Sequence, residues 1–366
     1  MPPHIMTAII EELDWNSRRS LRNTCRTLRS AVNSIPMKFG YLQLHFSSKF
    51  AALGFGEQSH QIDHRIGYHR LRSDKVYVRK GEFETLKTHR DCWKMAICDA
   101  AKTVLKTPKI SVASLLISFS KPSKRTKSVW NFHKIQEKKD EIKFGSKKNK
   151  TMKTIKNRFF DPKRRLKVQE LTIGCQGNER SLMEILPFFE PGTLKSITFS
   201  NEDGEEEEEE EEEEDNSFRV KTVKMSRIIE TDQWKMLKKF HVADGFQVQI
   251  SIEQLLHLDD FEATLAEISV QEVKKLIRHA LITPSFNDFK LQCHNFDAIE
   301  VDEMLGSSAF ICRNERNYRV YKRIGSENGA LLVLIDHDFI GVFGDYNVWE
   351  EDRKLDKFEA FDTPPL

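Results

Sequence analysis

The chain has 366 residues, enough for one large domain or two ordinary ones, and its 39 % hydrophobic and 31 % charged residues read as an ordinary soluble protein carrying charge-dense insertions. The net charge of +2 hides two local excesses: 18 Lys/Arg against four Asp/Glu from Lys121 to Lys167, and 13 acidic residues from Glu202 to Asp215. Outside them 40 basic residues face 39 acidic ones, so the imbalance belongs to the insertions.

Six cysteines (Cys25, Cys92, Cys98, Cys175, Cys293 and Cys312) are scattered without a C-x-x-C pair. That pattern fits free thiols in a reducing compartment. Met1 to Leu13 has no basic n-region, and Glu11 and Glu12 interrupt its apolar pattern, against a secretory signal. No stretch approaches the roughly 18 apolar residues of a membrane span. The expected location is cytosol or nucleus, with no membrane partner.

Residues 1–40 read as a compact helical module. Ile5, Ile9 and Leu13 recur at four-residue steps with Met6 and Ile10 beside them, and Asp14 and Asn16 break the run. Leu21, Cys25, Leu28 and Val32 continue at helical spacing among Arg18, Arg19, Arg22, Arg26 and Arg29. Helices this short need another surface to cover their stripe. Residues 41–85 read as a connecting segment. The segment 86–120 reads as an amphipathic helix over 86–106, carrying Trp93, Ala96, Ile97, Ala100, Ala101, Val104 and Leu105, then a strand over Ile110–Phe119. Residues 121–165 form a basic insertion without apolar periodicity, expected to be disordered.

From 166 to 345 a repeat emerges. Strand-like runs begin at Leu166, Leu194, Met236, Phe261 and Phe286, with helical candidates at Arg180–Phe189, Asp232–Lys238 and Val270–Ala280. Removing the acidic insertion 202–215 brings the spacings to 25–28 residues. This is the period of a leucine-rich-repeat-like strand–helix solenoid, although the L-x-x-L-x-L-x-x-N/C consensus is not clean. Tyr318–Ile324 and Ala330–Phe343 read as closing strands separated by Gly325 and Gly329, and 346–366 as a loose acidic tail. The expected fold class is therefore α+β or α/β: a helical module followed by the solenoid.

Two sets of residues are candidates for binding. The first is the apolar set Pro2, Ile5, Met6, Ile9, Ile10, Leu13, Leu21, Cys25, Leu28 and Val32, either an interface buried by a partner or a lid on the chain's own repeats. The second is the polar remainder of the strands: Lys167, Gln169, Lys195, Ser196, Lys238, Lys239 and Glu262. A row of adjacent strands offers one continuous surface, so this face is expected to hold a protein substrate. A phase shift must separate the apolar Val168 from Leu171 on the first of these strands. The basic stretch 121–167 reads as a solvated loop, an import signal or, least favoured, a nucleic-acid contact. The acidic run reads as an inert loop, as a partner of that stretch, or as a site for basic proteins.

Catalysis finds no footing. The twelve histidines are scattered, and Cys92/His89 and Cys293/His294 lack metal-site spacing. On a strand, Asp336 and Asp338 would point away from His337 and could not orient it. No phosphate-binding, nucleophile-elbow or dinucleotide motif is present. Trp93 and Trp234 read as core anchors. No enzyme activity, cofactor or metal is expected.

The run Pro2-Pro3-His4-Ile5-Met6-Thr7-Ala8-Ile9-Ile10-Glu11-Glu12-Leu13-Asp14, followed by Leu21-Arg22-Asn23-Thr24-Cys25-Arg26-Thr27-Leu28-Arg29, resembles an F-box. It departs at Met1, where a leucine usually precedes the proline, at Thr24, where valine is common, and at Leu28, where tryptophan is frequent. Leu186–Ile197, Glu230–Phe240 and His257–Ala280 resemble the FTH domain that follows an F-box in one large family. The resemblance implies that the helices bind the Skp-type adaptor of a cullin ubiquitin ligase, and that the later region, roughly 85–345, binds substrate. The alternative is a stand-alone nuclear scaffold or nucleic-acid-associated protein with a decayed F-box.

Overall fold

The computed structural model describes residues 2–47, 50–59, 61–72, 75–81, 83–88, 91–104, 110–119, 151–157, 165–174, 179–200, 221–243, 245–295, 297–305, 310–314, 317–326, 329–335 and 339–344. The acidic insertion, most of the basic stretch, the tail 346–366 and His337 lie outside the described residues. The chain divides into two compact units, one of Met1–Cys175 with Arg180–Leu194, the other of Lys195–Asn201 with the described residues after 220.

The first unit opens with three helices, α1 (Pro3–Glu12), α2 (Trp15–Thr24) and α3 (Arg26–Ser34). Pro3 starts α1 where its missing N–H costs nothing. The Asp14 carboxylate accepts from the Ser17 N–H at 2.8 Å and caps α2; Cys25 Sγ accepts from the Leu28 N–H at 3.5 Å and caps α3. Ile10, Val32 and Ile35 form their core, with Met6, Leu21 and Ala31 packed against it. Arg18 ties the module together by donating to the carbonyls of Leu13 at 2.8 Å, Glu11 at 2.7 Å and Pro36 at 3.3 Å.

Next come β1 (Met37–Phe46), β2 (Phe50–Gly56), β3 (His64–Arg72), β4 (Lys75–Lys80), β5 (Phe83–Thr88), α4 (Cys92–Val104), β6 (Ile110–Ser118) and β7 (Lys167–Gly174). Their sheet runs β5-β4-β3-β2-β1-β6-β7, antiparallel as far as β1 and parallel from β1 to β7. Residues 41–85 are thus no connecting segment but the body of an antiparallel meander. Their signal is weak because β2 (FAALGFG) is buried on both faces and has no alternation, while β5 is exposed along its whole length. Gly40 and Gly56 let residues 57–59 and 61–63 approach this sheet: a Cβ on Gly40 would stand 2.2 Å from the Gln58 carbonyl carbon, and one on Gly56 1.9 Å from the Gln61 oxygen. Trp93, Ala96, Ile97 and Ala100 bury the inner side of α4, and the Tyr68 hydroxyl donates to Asp99 at 2.8 Å. Part of the basic stretch is also ordered. Residues 151–157 are helical, Met152 and Ile155 are buried at i,i+3 spacing, and Lys156 meets Glu184 at 2.8 Å.

The second unit contains β8 (Ser196–Ser200), β9 (Lys221–Lys224), β10 (Lys239–Val242), β11 (Phe246–Gln249), β12 (Asp260–Glu267) and β13 (Asp288–Asn295). After these come β14 (Phe310–Asn314), β15 (Asn317–Ser326), β16 (Gly329–Ile335) and β17 (Phe339–Phe343). Strands β8, β10, β12 and β13 pair in parallel and in chain order, and β9 and β11 add a second parallel pair beside β12. β17 then closes on β13 in the antiparallel sense, followed by β16, β15 and β14. Ala330–Phe343 is therefore two strands rather than one, with the polar triplet Asp336-His337-Asp338 falling between them in the sequence. The helix Val270–Ile282 carries a capping box, Ser269 with Glu272, and buries Val273, Leu276, Ile277 and Ala280. The result is a mixed α/β fold: parallel strands interleaved with helices occur in both units, β6 and β7 with α4 and 151–157 in the first and β10, β12 and β13 in the second, alongside antiparallel strands, in place of a uniform array.

One pattern runs through both units. Apolar residues spaced L-x-x-L-x-L are buried at Phe39-Leu42-Leu44, Val112-Leu115-Ile117, Val168-Leu171-Ile173, Leu194-Ile197-Phe199, Leu237-Phe240-Val242 and Leu258-Phe261-Ala263. The phase shift expected between Val168 and Leu171 therefore recurs from strand to strand. Strict leucine counting hides it, because Phe, Val, Ile and Ala fill the positions. In the second unit the backbone aligns each strand start: the Lys195 carbonyl accepts from Lys238 and Lys239, the Lys238 carbonyl from Asp259 and Asp260, and the Asp259 carbonyl from Asn287, at 2.7–3.2 Å.

Candidate functional site: a helical module and a charged strand face

The apolar set of the N-terminal helices separates into two groups. Ile10, 1 % exposed, and Val32, 6 %, are the module's own core, and Met6 and Leu21 are half-buried against them. These four hold the helices together and are not available as primary anchors. The reason is geometric: three helices need one shared stripe before any partner arrives. Ile5, 43 % exposed, and Ile9, 47 %, project outward, Pro2 and Cys25 are exposed, and Leu13 and Leu28 are half-buried. The surface left for a partner is therefore centred on Ile5 and Ile9.

The polar strand residues also separate. Lys167 and Gln169 lie exposed on β7 of the first unit, with Lys167 3.7 Å from Glu190. Lys195 and Lys238 sit at the strand starts, where their carbonyls carry the backbone alignment; the Lys238 ammonium also pairs with Asp259 at 3.2 Å. Ser196, Lys239 and Glu262 share one face of the second unit's ladder. There Ser196, Lys239, Asp260 and Asp288 stand opposite one another, and in the next row Thr198, His241, Glu262 and Lys290.

This face has one chemical centre that sequence reasoning missed. The Asp260 carboxylate, 7 % exposed, accepts from His241 Nε2 at 2.9 Å, from Lys239 Nζ at 3.0 Å and from Asn287 Nδ2 at 3.4 Å. Burial opposes its ionisation, but hydrogen bonds from His241 and Asp288 prevail and hold the carboxyl far below the ordinary range. Burial first, and then the Asp260 carboxylate beside it, push Asp288 up to about 6. The bond to Asp260 raises His241, against the effect of burial. Lys290 completes the cluster, 3.4 Å from Asp288. The available signal was the pair of residues preceding each buried aromatic: Lys238-Lys239 before Phe240, Asp259-Asp260 before Phe261, Asn287-Asp288 before Phe289. Among the described residues no group of three or more His, Cys, Asp and Glu is placed to hold a metal, and no helix is long and apolar enough to cross a membrane.

The geometry defines a mixed α/β protein with a three-helix N-terminal module and a parallel ladder bearing a charged face. Within it, residues 149–308 match the family model of the FTH domain, a domain associated with F-boxes. The match leaves the helices of the first 40 residues outside its span. Comparison with curated proteins and with solved structures gives no match.

Proposed function

We propose that the chain is the substrate-receptor subunit of a Skp–cullin–F-box ubiquitin ligase, working in the cytosol or nucleus. The observation that carries this reading is the FTH match over 149–308, downstream of a three-helix module with Ile5 and Ile9 on its outer surface. In this reading α1–α3 are the F-box and bind the Skp-type adaptor through Ile5, Ile9 and Leu13. The ladder β8–β13 is a leucine-rich-repeat-like array whose strand face holds a protein substrate. No residue does covalent chemistry, and no cofactor takes part. The subunit acts by raising the substrate's effective concentration at the transfer machinery.

Co-purification of the full-length chain with a Skp-type adaptor tests the reading. Ile9→Glu combined with Leu13→Glu is expected to abolish it, because two charges buried without partners cost several kcal/mol, enough to remove a micromolar interface. Undiminished capture by a double variant with unchanged helical content refutes the F-box assignment.

A further inference from the structure

We propose that the strand face of the second unit receives a basic segment of its partner and releases it when the Asp260–Asp288 pair takes up a proton. The inference rests on the reading of this face as the substrate surface and adds both the partner's chemistry and its regulation.

The argument starts from saturation. Both oxygens of Asp260 are engaged, one by His241 and the other by Lys239 and Asn287, so this carboxyl holds a negative charge in a nearly buried position. Asp288 stands directly opposite it on β13, its side chain 13 % exposed. Two adjacent carboxylates with this little water repel strongly, and a proton held between them removes the repulsion while adding a hydrogen bond. As the proton leaves, Lys290 at 3.4 Å is the cation placed to compensate. The pair therefore exchanges a proton for a cation on ionising, and a cation supplied by a partner serves the same purpose.

The surroundings set the charge that a partner meets. Lys239 and His241 face the pair from β10, Glu262 from β12 and Lys290 from β13. Ser196 and Thr198 of β8 are uncharged, as are Gly341 and Phe343 of β17, and Lys290 Nζ lies 5.9 Å from the Phe343 ring centre. In the turns, Lys238 pairs with Asp259, which also accepts from the Ser285 hydroxyl at 2.6 Å; His279 of the following helix feels the Asp259 charge. Setting aside the strand-start row, where Lys238 pairs with Asp259 and the exposed Lys195 adds a charge common to both states, two lysines face three carboxylates when Asp288 is ionised and His241 neutral, a net −1. Protonation of Asp288 and His241 turns this into three cations against two carboxylates, a net +1. A basic segment is attracted in the first state and repelled in the second. A swing of two charges at contact distance, with ordinary salt screening, corresponds to about fivefold in affinity.

The full-length chain tests the proposal in two ways. Carboxyl-carbon NMR of aspartate-labelled protein should show one aspartate titrating with a midpoint near 6, lost in Asp288→Asn; every aspartate titrating below about pH 5 overturns the proposal. Binding of a fluorescent hexalysine probe, measured at pH 7.5 and 5.5 and constant ionic strength, should weaken on acidification roughly twofold more in the wild type than in Asp288→Asn. Any contact of the probe with Glu202–Asp215 is common to both proteins and cancels in that comparison. At pH 7.5 Glu262→Lys separates the two ways of failing. If it leaves binding unchanged, the face itself is wrong and the gate falls with it. If it weakens binding while the two pH dependences coincide, the face stands and the gate is refuted.

Discussion

The two units share one strand skeleton and fill it in opposite ways. In the first, the central apolar position of three neighbouring strands is leucine each time, Leu42, Leu115 and Leu171, in register. In the second it is Ile197 followed by Phe240, Phe261 and Phe289, with Phe261 and Phe289 only 4.2 Å apart and Trp234 edge-on to Phe240 at 5.0 Å. The polar positions diverge more. The two residues between the first and second apolar positions are Gly40-Tyr41, Ala113-Ser114 and Gln169-Glu170 in the first unit. In the second they are Lys195-Ser196, Lys238-Lys239, Asp259-Asp260 and Asn287-Asp288. The apolar half of the pattern builds a sheet in either unit; the polar half decides which sheet presents charge.

The contrast can be attacked first through the cores. Phe261→Ala should cost the second unit about 3–5 kcal/mol and Leu115→Ala the first about 2–5 kcal/mol, each read from denaturant midpoints. A loss below about 1 kcal/mol at either position would mean that the ladder core is not formed as described.

Titration sharpens the comparison, because the two units hold buried groups of opposite sense. His45, 5 % exposed and hydrogen-bonded to the Ser118 hydroxyl, is pushed down to about 4 by burial. In the unfolded chain it binds a proton near 6.5. The unfolded state therefore holds more protons between those values, and the first unit loses stability as pH falls from about 6.5 to 4, by up to roughly 3 kcal/mol. Asp288 is displaced the other way: between its ordinary value near 3.9 and about 6 the folded state holds more protons, so acidification through that window favours folding. Thermal unfolding from pH 7.5 to 4.5 checks both. His45→Leu should remove part of the acid loss, and Asp288→Asn part of the acid gain; changes of the opposite sign would break the assignment.

Smaller effects are expected at the surface. Ser269→Ala removes one half of the capping box of Val270–Ile282 and should cost about 1 kcal/mol by denaturant unfolding. Ile9→Glu alone should change stability by less than about 0.5 kcal/mol, since the residue is 47 % exposed, whereas Ile10→Glu should unfold the helical module. Circular dichroism of the two variants distinguishes an outward Ile9 from an inward Ile10.

The parts legible in sequence were those with a period. The helix near 270–282 and the strands starting near 166, 194, 236, 261 and 286 stand where spacing places them, whereas the helix expected over 86–106 begins only at Cys92, residues 86–88 belonging to β5. The meander β1–β5 was not legible, because β2 is apolar on both sides and β5 polar or exposed on both, so neither alternates. The N-terminal stripe was visible, but helical spacing alone cannot tell Ile9 from Ile10, and only the packing of Val32 and Ile35 shows which one turns inward. On the strand face, Lys239 and Glu262 were visible as exposed polar residues. Asp260 and Asp288 were not, since their importance comes from the parallel register that brings residues 28 positions apart side by side.

The carbonyls that align the strand starts have a consequence for how such a chain can change. Successive rungs Ser196, Lys239, Asp260 and Asp288 lie 43, 21 and 28 residues apart, yet they stand in one row. Each new rung is indexed by its first backbone bonds to the previous one, not by the length of the return path. Lengthening a return costs only the logarithmic entropy of a longer loop, so a doubled path adds about 0.6 kcal/mol. Insertions can accumulate between rungs without disturbing the row, while substitutions within it alter recognition without disturbing the returns. The lineage can thus explore loop length and surface chemistry as independent variables.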